Sequence, residues 1–230
     1  MFRKTIVALL SCTAVTSAAV YYVDASKGGD DLDGLRLDTA WRTIAKVNAT
    51  SFSPGDYVLF HRDRVWQERL FVSSSGAPDK PIVFGAYAEG RAPVIDGSGG
   101  AVPQRSGLVV ISRKSFIVLD GLEVKNSAQN GIVPYLCQFI VIRNSVVHDN
   151  RDDGLLAFDT QGLTVSDSEF YNNSIDPQDT YAGIHIDGSG GGNDLTGFVI
   201  SNCRIHDNTG GLDWNSGNGI MLGHTGVSTP

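Results

Sequence analysis

A 23-residue echo in the second half constrains this chain more than any other feature. Phe116-Ile117-Val118-Leu119 returns as Phe139-Ile140-Val141-Ile142, and Asn130-Gly131-Ile132 returns as Asp153-Gly154-Leu155. Val124, Val147 and Phe170 keep the same step. Each repeat holds three short apolar, β-branched runs separated by Asn, Asp, Ser and Gly, the composition of strands joined by tight turns. No segment of helix length fits inside it. A step of this size, built only of strands, predicts a solenoid whose coils stack strand upon strand. The fold class is therefore all-β, a parallel β-helix of about six coils.

Each coil reads as three strands: a first opening with Gly, a second carrying the Phe-Ile-Val-Ile run, and a third of the Asn-Ser-Val-Val type. First strands are expected near 68–72, 107–111, 131–135, 154–158, 183–187 and 219–223. Ile132, Leu155, Ile184 and Ile220 follow the opening Gly and should stack inward in one column. Asn126, Asn144, Asn150, Asp167, Asn173, Asn202 and Asn208 stand at turn entries, where turn bonds or ladders explain them better than catalysis. Upstream, Asp38 or Thr39 is expected to cap an amphipathic helix within 39–50 that runs through Trp41, Ile44, Ala45 and Val47. That helix would cover the open end of the first coil, with the coils occupying 57–230.

The ends and the charge bound the setting. Arg3 and Lys4, the apolar stretch Thr5 to Val15 and Ser17-Ala18-Ala19 read as a signal peptide over 1–19, leaving 20–230 as one domain. The rival is a lipoprotein signal ending at Cys12. Either way the chain is expected in the periplasm or outside the cell. No other apolar run approaches the ~18 residues of a membrane span. Losing Arg3 and Lys4 takes the formal charge from −7 to −9. Such an acidic surface argues against nucleic acid as a partner, though bound Ca²⁺ can bridge it to a polyanionic sugar. Cys137 and Cys203 lack metal or redox spacing, and more than two stacked coils between them place them too far apart for a disulfide.

Tyr21-Tyr22-Val23-Asp24, Gly29-Asp30-Asp31, Thr39-Ala40-Trp41-Arg42-Thr43-Ile44, Pro54-Gly55-Asp56 and Asp96-Gly97 resemble the N-terminal portion of a bacterial family. That family is the right-handed parallel β-helix proteins of the pectate lyase and alginate or chondroitin lyase type. The resemblance implies a right-handed coil and a polysaccharide as partner. Its motifs are scaffold motifs, which specify fold strongly and reaction weakly. Arg151-Asp152-Asp153-Gly154 and Gly223-His224-Thr225-Gly226 also resemble polygalacturonase-type hydrolase motifs, whose other motifs this chain lacks. Asp176-Pro177-Gln178-Asp179 has the first two residues of the Asp-Pro-His-Glu/Asp site of alginate epimerases, with Gln178 in place of the histidine.

Departures from the 23-residue step mark where chemistry belongs. The distance from the third-strand apolar residue to the next strand-opening Gly is 7 in two coils. It grows to 13 from Phe170 to Gly183, and to 14 from Ile205 to Gly219. Two adjacent loops at one turn form a wall beside the first-strand sheet, and long loops in compact repeats carry function. With Ile184 and Ile186 inward, His185 and Asp187 point out. His185, Asp187 and Arg151 are the proton-transfer candidates. Tyr135, Phe158, Trp214 and His224 are expected to bind sugar. Asp153, Asp176, Asp179 and Asp213 are the candidate ligands of Ca²⁺. His148 and His206 occupy equivalent positions in successive coils, which points to stacking rather than catalysis.

These residues lead to an exported polysaccharide-active protein, lyase-like on a uronate-containing glycan by β-elimination. The alternative is a non-catalytic glycan-binding or surface β-helix, or an inactive fragment of a hydrolase or lyase. The last strand is followed by no cap, so further coils or end-to-end self-association are expected there.

Overall fold

The computed structural model describes residues 17–175, 181–188, 196–209 and 217–223. Three sheets run side by side along one axis. The first-strand sheet holds Leu70–Phe71, Gly107–Ser112, Asn130–Tyr135, Leu155–Phe158, Ala182–Asp187 and Asn218–Leu222. The second begins with Val20–Val23 and Tyr57–His61 and ends with Gln161–Ser166 and Val199–Ser201; the third runs from Val65–Trp66 to Arg204–His206. Every strand pairing within them is parallel. The chain is a parallel β-helix, and all six of its described first strands start within two residues of the positions expected from the repeat.

The register explains the period. Ile132 pairs with Leu155, Leu155 with Ile184, and Ile184 with Ile220. The first three are fully buried, while Ile220, on the last described strand, is 46% exposed. Val124, Val147, Phe170 and Ile205 form a second column along the third sheet. Each fully buried member contributes about 1.5–3 kcal/mol relative to an exposed side chain. A one-residue slip would turn every one of them to the outside, so the 23-residue step holds the register.

Beside the apolar columns runs a buried amide ladder. Asn150 Nδ2 donates to Asn173 Oδ1 at 2.8 Å, and Asn173 Nδ2 donates to Asn208 Oδ1 at 3.0 Å. Asn150 and Asn173 are fully buried, and their amides also satisfy backbone groups at the coil corner. This ladder accounts for the strand-opening glycines. A Cβ at Gly154 would stand 2.6 Å from the carbonyl oxygen of Gly183 and 2.8 Å from Asn173 Nδ2. The other turn residues, Asn126, Asn144, Asp167 and Asn202, have φ between 50° and 58°, the left-handed region that Asn and Asp tolerate best.

The N-terminal helix is shorter than its apolar pattern suggests, spanning only Ile44–Asn48. Its cap is Thr43, which accepts from the Lys46 N–H, and not Asp38 or Thr39. The reason is Trp41: its backbone pairs with Val23 as an isolated bridge, so the chain is extended where helix was expected. Asp30 fixes that geometry by accepting from the Arg42 and Thr43 N–H groups and the Thr43 hydroxyl. The helix lies along the edge of Leu70–Phe71. There Asn48 donates to the Arg69 carbonyl and accepts from the Phe71 N–H, both at 2.8 Å, satisfying an otherwise open strand edge. Cys137 and Cys203 are both free.

Candidate active site

Strand alternation gives the first-strand sheet two outward columns. One runs Phe71, Val110, Val133 at its start and Leu156, His185, Met221 at its end. The other runs Ser112, Tyr135, Phe158, Asp187. The outer face is thus aliphatic and aromatic over the middle coils and turns polar where His185 and Asp187 stand.

The polar end is built around Asp153, whose side chain is 1% exposed. Its Oδ1 accepts from the Ala182 N–H at 2.7 Å, and its Oδ2 lies 3.2 Å from His185 Nδ1. The Asp153 N–H donates in turn to Asn130 Oδ1 at 3.1 Å. A carboxylate fixed in this way holds the imidazole with its Nδ1 proton toward Asp153, which leaves Nε2 as the ring's site for proton transfer. Asp187 stands two residues along the same strand, and its Oδ1 accepts from the Gly188 N–H at 2.8 Å. A Cβ at Gly223 would stand 2.3 Å from that oxygen, so the next coil passes Asp187 closely only because it has glycine there.

Asp152, Asp153, Phe158, Tyr181, His185 and Asp187 line an open cleft of about 260 Å³, together with Gln129, Asn130 and Arg105. A second hollow, about 460 Å³, continues it over Val110, Val133, Leu156, Tyr135 and Phe158. Arg105, Leu156 and Phe158 belong to both, so the two form one groove along the sheet. Arg105 is exposed and held in a left-handed turn (φ 58°), with its N–H donating to Gln129 Oε1 at 3.1 Å.

The structure therefore brings together His185, Asp187, Asp153 and Phe158, with Tyr135 farther along the groove. The Tyr135 and Phe158 rings stack on each other, centroids 5.8 Å apart at 26°, which turns their faces toward one another. Arg151 is exposed and lines neither part of the groove. Among the described residues, the cation that does is Arg105, supplied by an irregular stretch before the regular coils. Asp176, Asp179, Asp213, Trp214 and His224 lie outside the described residues, as does Cys12. Among the described residues no group of three or more His, Cys, Asp or Glu is arranged to hold a metal ion. Asp153 has both oxygens engaged by protein groups, Oδ1 by the Ala182 N–H and Oδ2 by His185.

His148 and His206 lie on the third sheet, away from the groove. They sandwich Tyr171, with ring centroids 4.6 Å and 5.4 Å away. His148 also contacts Glu123 and Asp149, and His206 contacts Glu169 and Asp207. The bond to the Glu169 carboxylate, followed by that to Asp207, raises the His206 pKa above its ordinary value. This is the stacking role their equivalence suggests.

Residues 95–199 match the family of right-handed β-helix regions. Over 96 residues the chain is 31% identical to a lacto-N-biosidase of Bifidobacterium longum subsp. longum, covering 39% of this chain and 6% of that protein. Among solved structures, a pectate lyase superposes with a TM-score of 0.67 at 20% identity, covering 85% of this chain and 49% of its own. A lacto-N-biosidase from Eubacterium ramulus gives 0.61 at 18% identity, covering 73% and 36%. An alginate lyase from Paenibacillus sp. gives 0.54 at 15% identity, covering 78% and 72%. The chain spans a small part of the biosidase it matches in sequence, and about half of the pectate lyase. At these identities the structural likeness establishes the fold. No helix among the described residues is long and apolar enough to cross a membrane.

Proposed function

We propose that this right-handed parallel β-helix is an exported protein acting on a uronate-containing polysaccharide by β-elimination. The observation that carries this reading is the Asp153–His185 pair standing in an open groove with Arg105 at its rim. Elimination needs a base for the proton on the carbon beside the uronate carboxylate, and a cation to offset the charge that builds there. His185 Nε2 takes that proton while Asp153 stabilises the resulting imidazolium. Arg105 pairs with the carboxylate, a match guanidinium makes in two parallel bonds. The C–O bond to the departing sugar then breaks as the ring double bond forms, and the released oxygen takes a proton from solvent. The basic-then-apolar start over 1–19 supports export. Incubating the protein with polygalacturonate, alginate and chondroitin sulfate, with and without Ca²⁺, tests the reading. Ultraviolet absorbance from unsaturated uronates is the expected result.

A second reading is hydrolysis of a glycosidic bond. Asp187 and the Asp153-backed His185 both line the cleft, and a carboxylate with a second proton-transfer group can serve such a reaction as acid and base. It predicts new reducing ends without ultraviolet absorbance. Binding without turnover is the outcome if neither product forms and the glycan is still retained.

A further inference from the structure

The larger half of the groove has a chemistry that the reaction above does not use. Its floor is Val110, Val133 and Leu156, three aliphatic side chains at outward positions of neighbouring strands, and its wall is Tyr135 and Phe158. Besides Tyr135 with its hydroxyl, the polar side chains that line it are Ser106, Ser112 and, at the rim, Arg105. Sugar subsites commonly offer aromatic faces to pyranose rings and polar groups to their hydroxyls. Here the two rings stack on each other, and the floor has no donor or acceptor of its own. A hydroxyl laid against it would lose water and gain no partner. A compact apolar substituent gains from the same contact.

We propose that this half of the groove is an acyl-accepting subsite, taking a sugar residue whose acetyl methyl rests on Val110, Val133 and Leu156 while a carboxylate of the same chain reaches Arg105. The inference rests on the groove being the glycan-binding site. Two chemistries present an acetyl group beside a carboxylate: an O-acetylated uronan, and a chain alternating N-acetylhexosamine with uronate. They share the methyl, and differ in whether it hangs from an ester or an amide.

Titration calorimetry on the full chain separates them, using matched pairs of oligosaccharides. One pair is O-acetylated alginate and the same preparation after mild alkaline deacetylation. The other is unsulfated chondroitin and its N-deacetylated, N-formylated form. The proposal expects the acetylated member of at least one pair to bind about tenfold more tightly, about 1.4 kcal/mol. The pair that shows the preference identifies the linkage. Val133→Asn and Leu156→Thr, checked for unchanged melting, should each remove most of the preference. Equal affinity within both pairs overturns the acyl subsite and leaves the groove reading intact. Absence of binding by all four overturns both.

Discussion

Asp153 and His185 are 32 residues apart in the chain and meet through a 3.2 Å contact between Oδ2 and Nδ1, because consecutive coils place their strands side by side. Asp153→Asn keeps the shape but puts an amide where two acceptor oxygens were required, one for the Ala182 N–H and one for the imidazole. Turnover should fall by roughly 10- to 100-fold with little change in KM, because the interaction lost serves the proton transfer more than ground-state binding. A rise in KM with unchanged kcat would assign Asp153 to binding instead.

Asn173 is the central rung of the amide ladder. It bonds to Asn150, Asn208 and the Val147 carbonyl with no solvent contact. Asn173→Ala should cost about 3 kcal/mol, since each buried polar group left unpaired costs ~1–3 kcal/mol. Urea unfolding measures this, and a change below about 0.5 kcal/mol would show that water or relaxation replaces the rung.

The raised pKa of His206 makes a signed prediction. Its first cause is the bond to Glu169, then that to Asp207. A group whose folded pKa lies above the unfolded value stabilises the fold below that value, about 6.5, and loses the contribution as pH rises through the folded pKa. The melting temperature should therefore fall across the range just above pH 6.5, and Glu169→Gln should flatten that part of the profile. Identical profiles for the two proteins would remove the Glu169–His206 bond from the account.

Cys137 is 1% exposed, its thiol donates to the Ile111 carbonyl, and burial pushes its pKa up. Cys203 is half-buried at the edge of the third sheet. A thiol reagent should label Cys203 in the native protein and Cys137 only after denaturation. Equal labelling rates would mean the coil around 137 opens readily.

The fold was legible because a solenoid repeats its physical requirements. Every coil needs a glycine over the amide ladder, an apolar residue in each inward column and an Asn or Asp in the left-handed turns, so each recurs at the coil length. The alternation that buries Ile184 and Ile186 also turns His185 and Asp187 outward, which made part of the cleft's lining readable. Asp153 was read as a candidate Ca²⁺ ligand, and nothing in a linear pattern shows that the next coil sets an imidazole against it. Arg105 carried no mark at all. It comes from 97–106, where the period does not yet hold, and its N–H bonds to Gln129 Oε1 on the cleft wall. The helix was misjudged for a similar reason: Trp41 fits a helical stripe, yet pairing with Val23 outweighs five residues of weak helix.

The most direct measurement is the rate of unsaturated-uronate formation by the protein and its His185→Ala variant on the best of the three polyuronates. Ultraviolet-absorbing product is expected from the parent chain and at least ~100-fold less from the variant, the usual scale for losing a proton-transfer group. Equal rates in the two proteins, or chain cleavage without ultraviolet absorbance, would contradict this expectation.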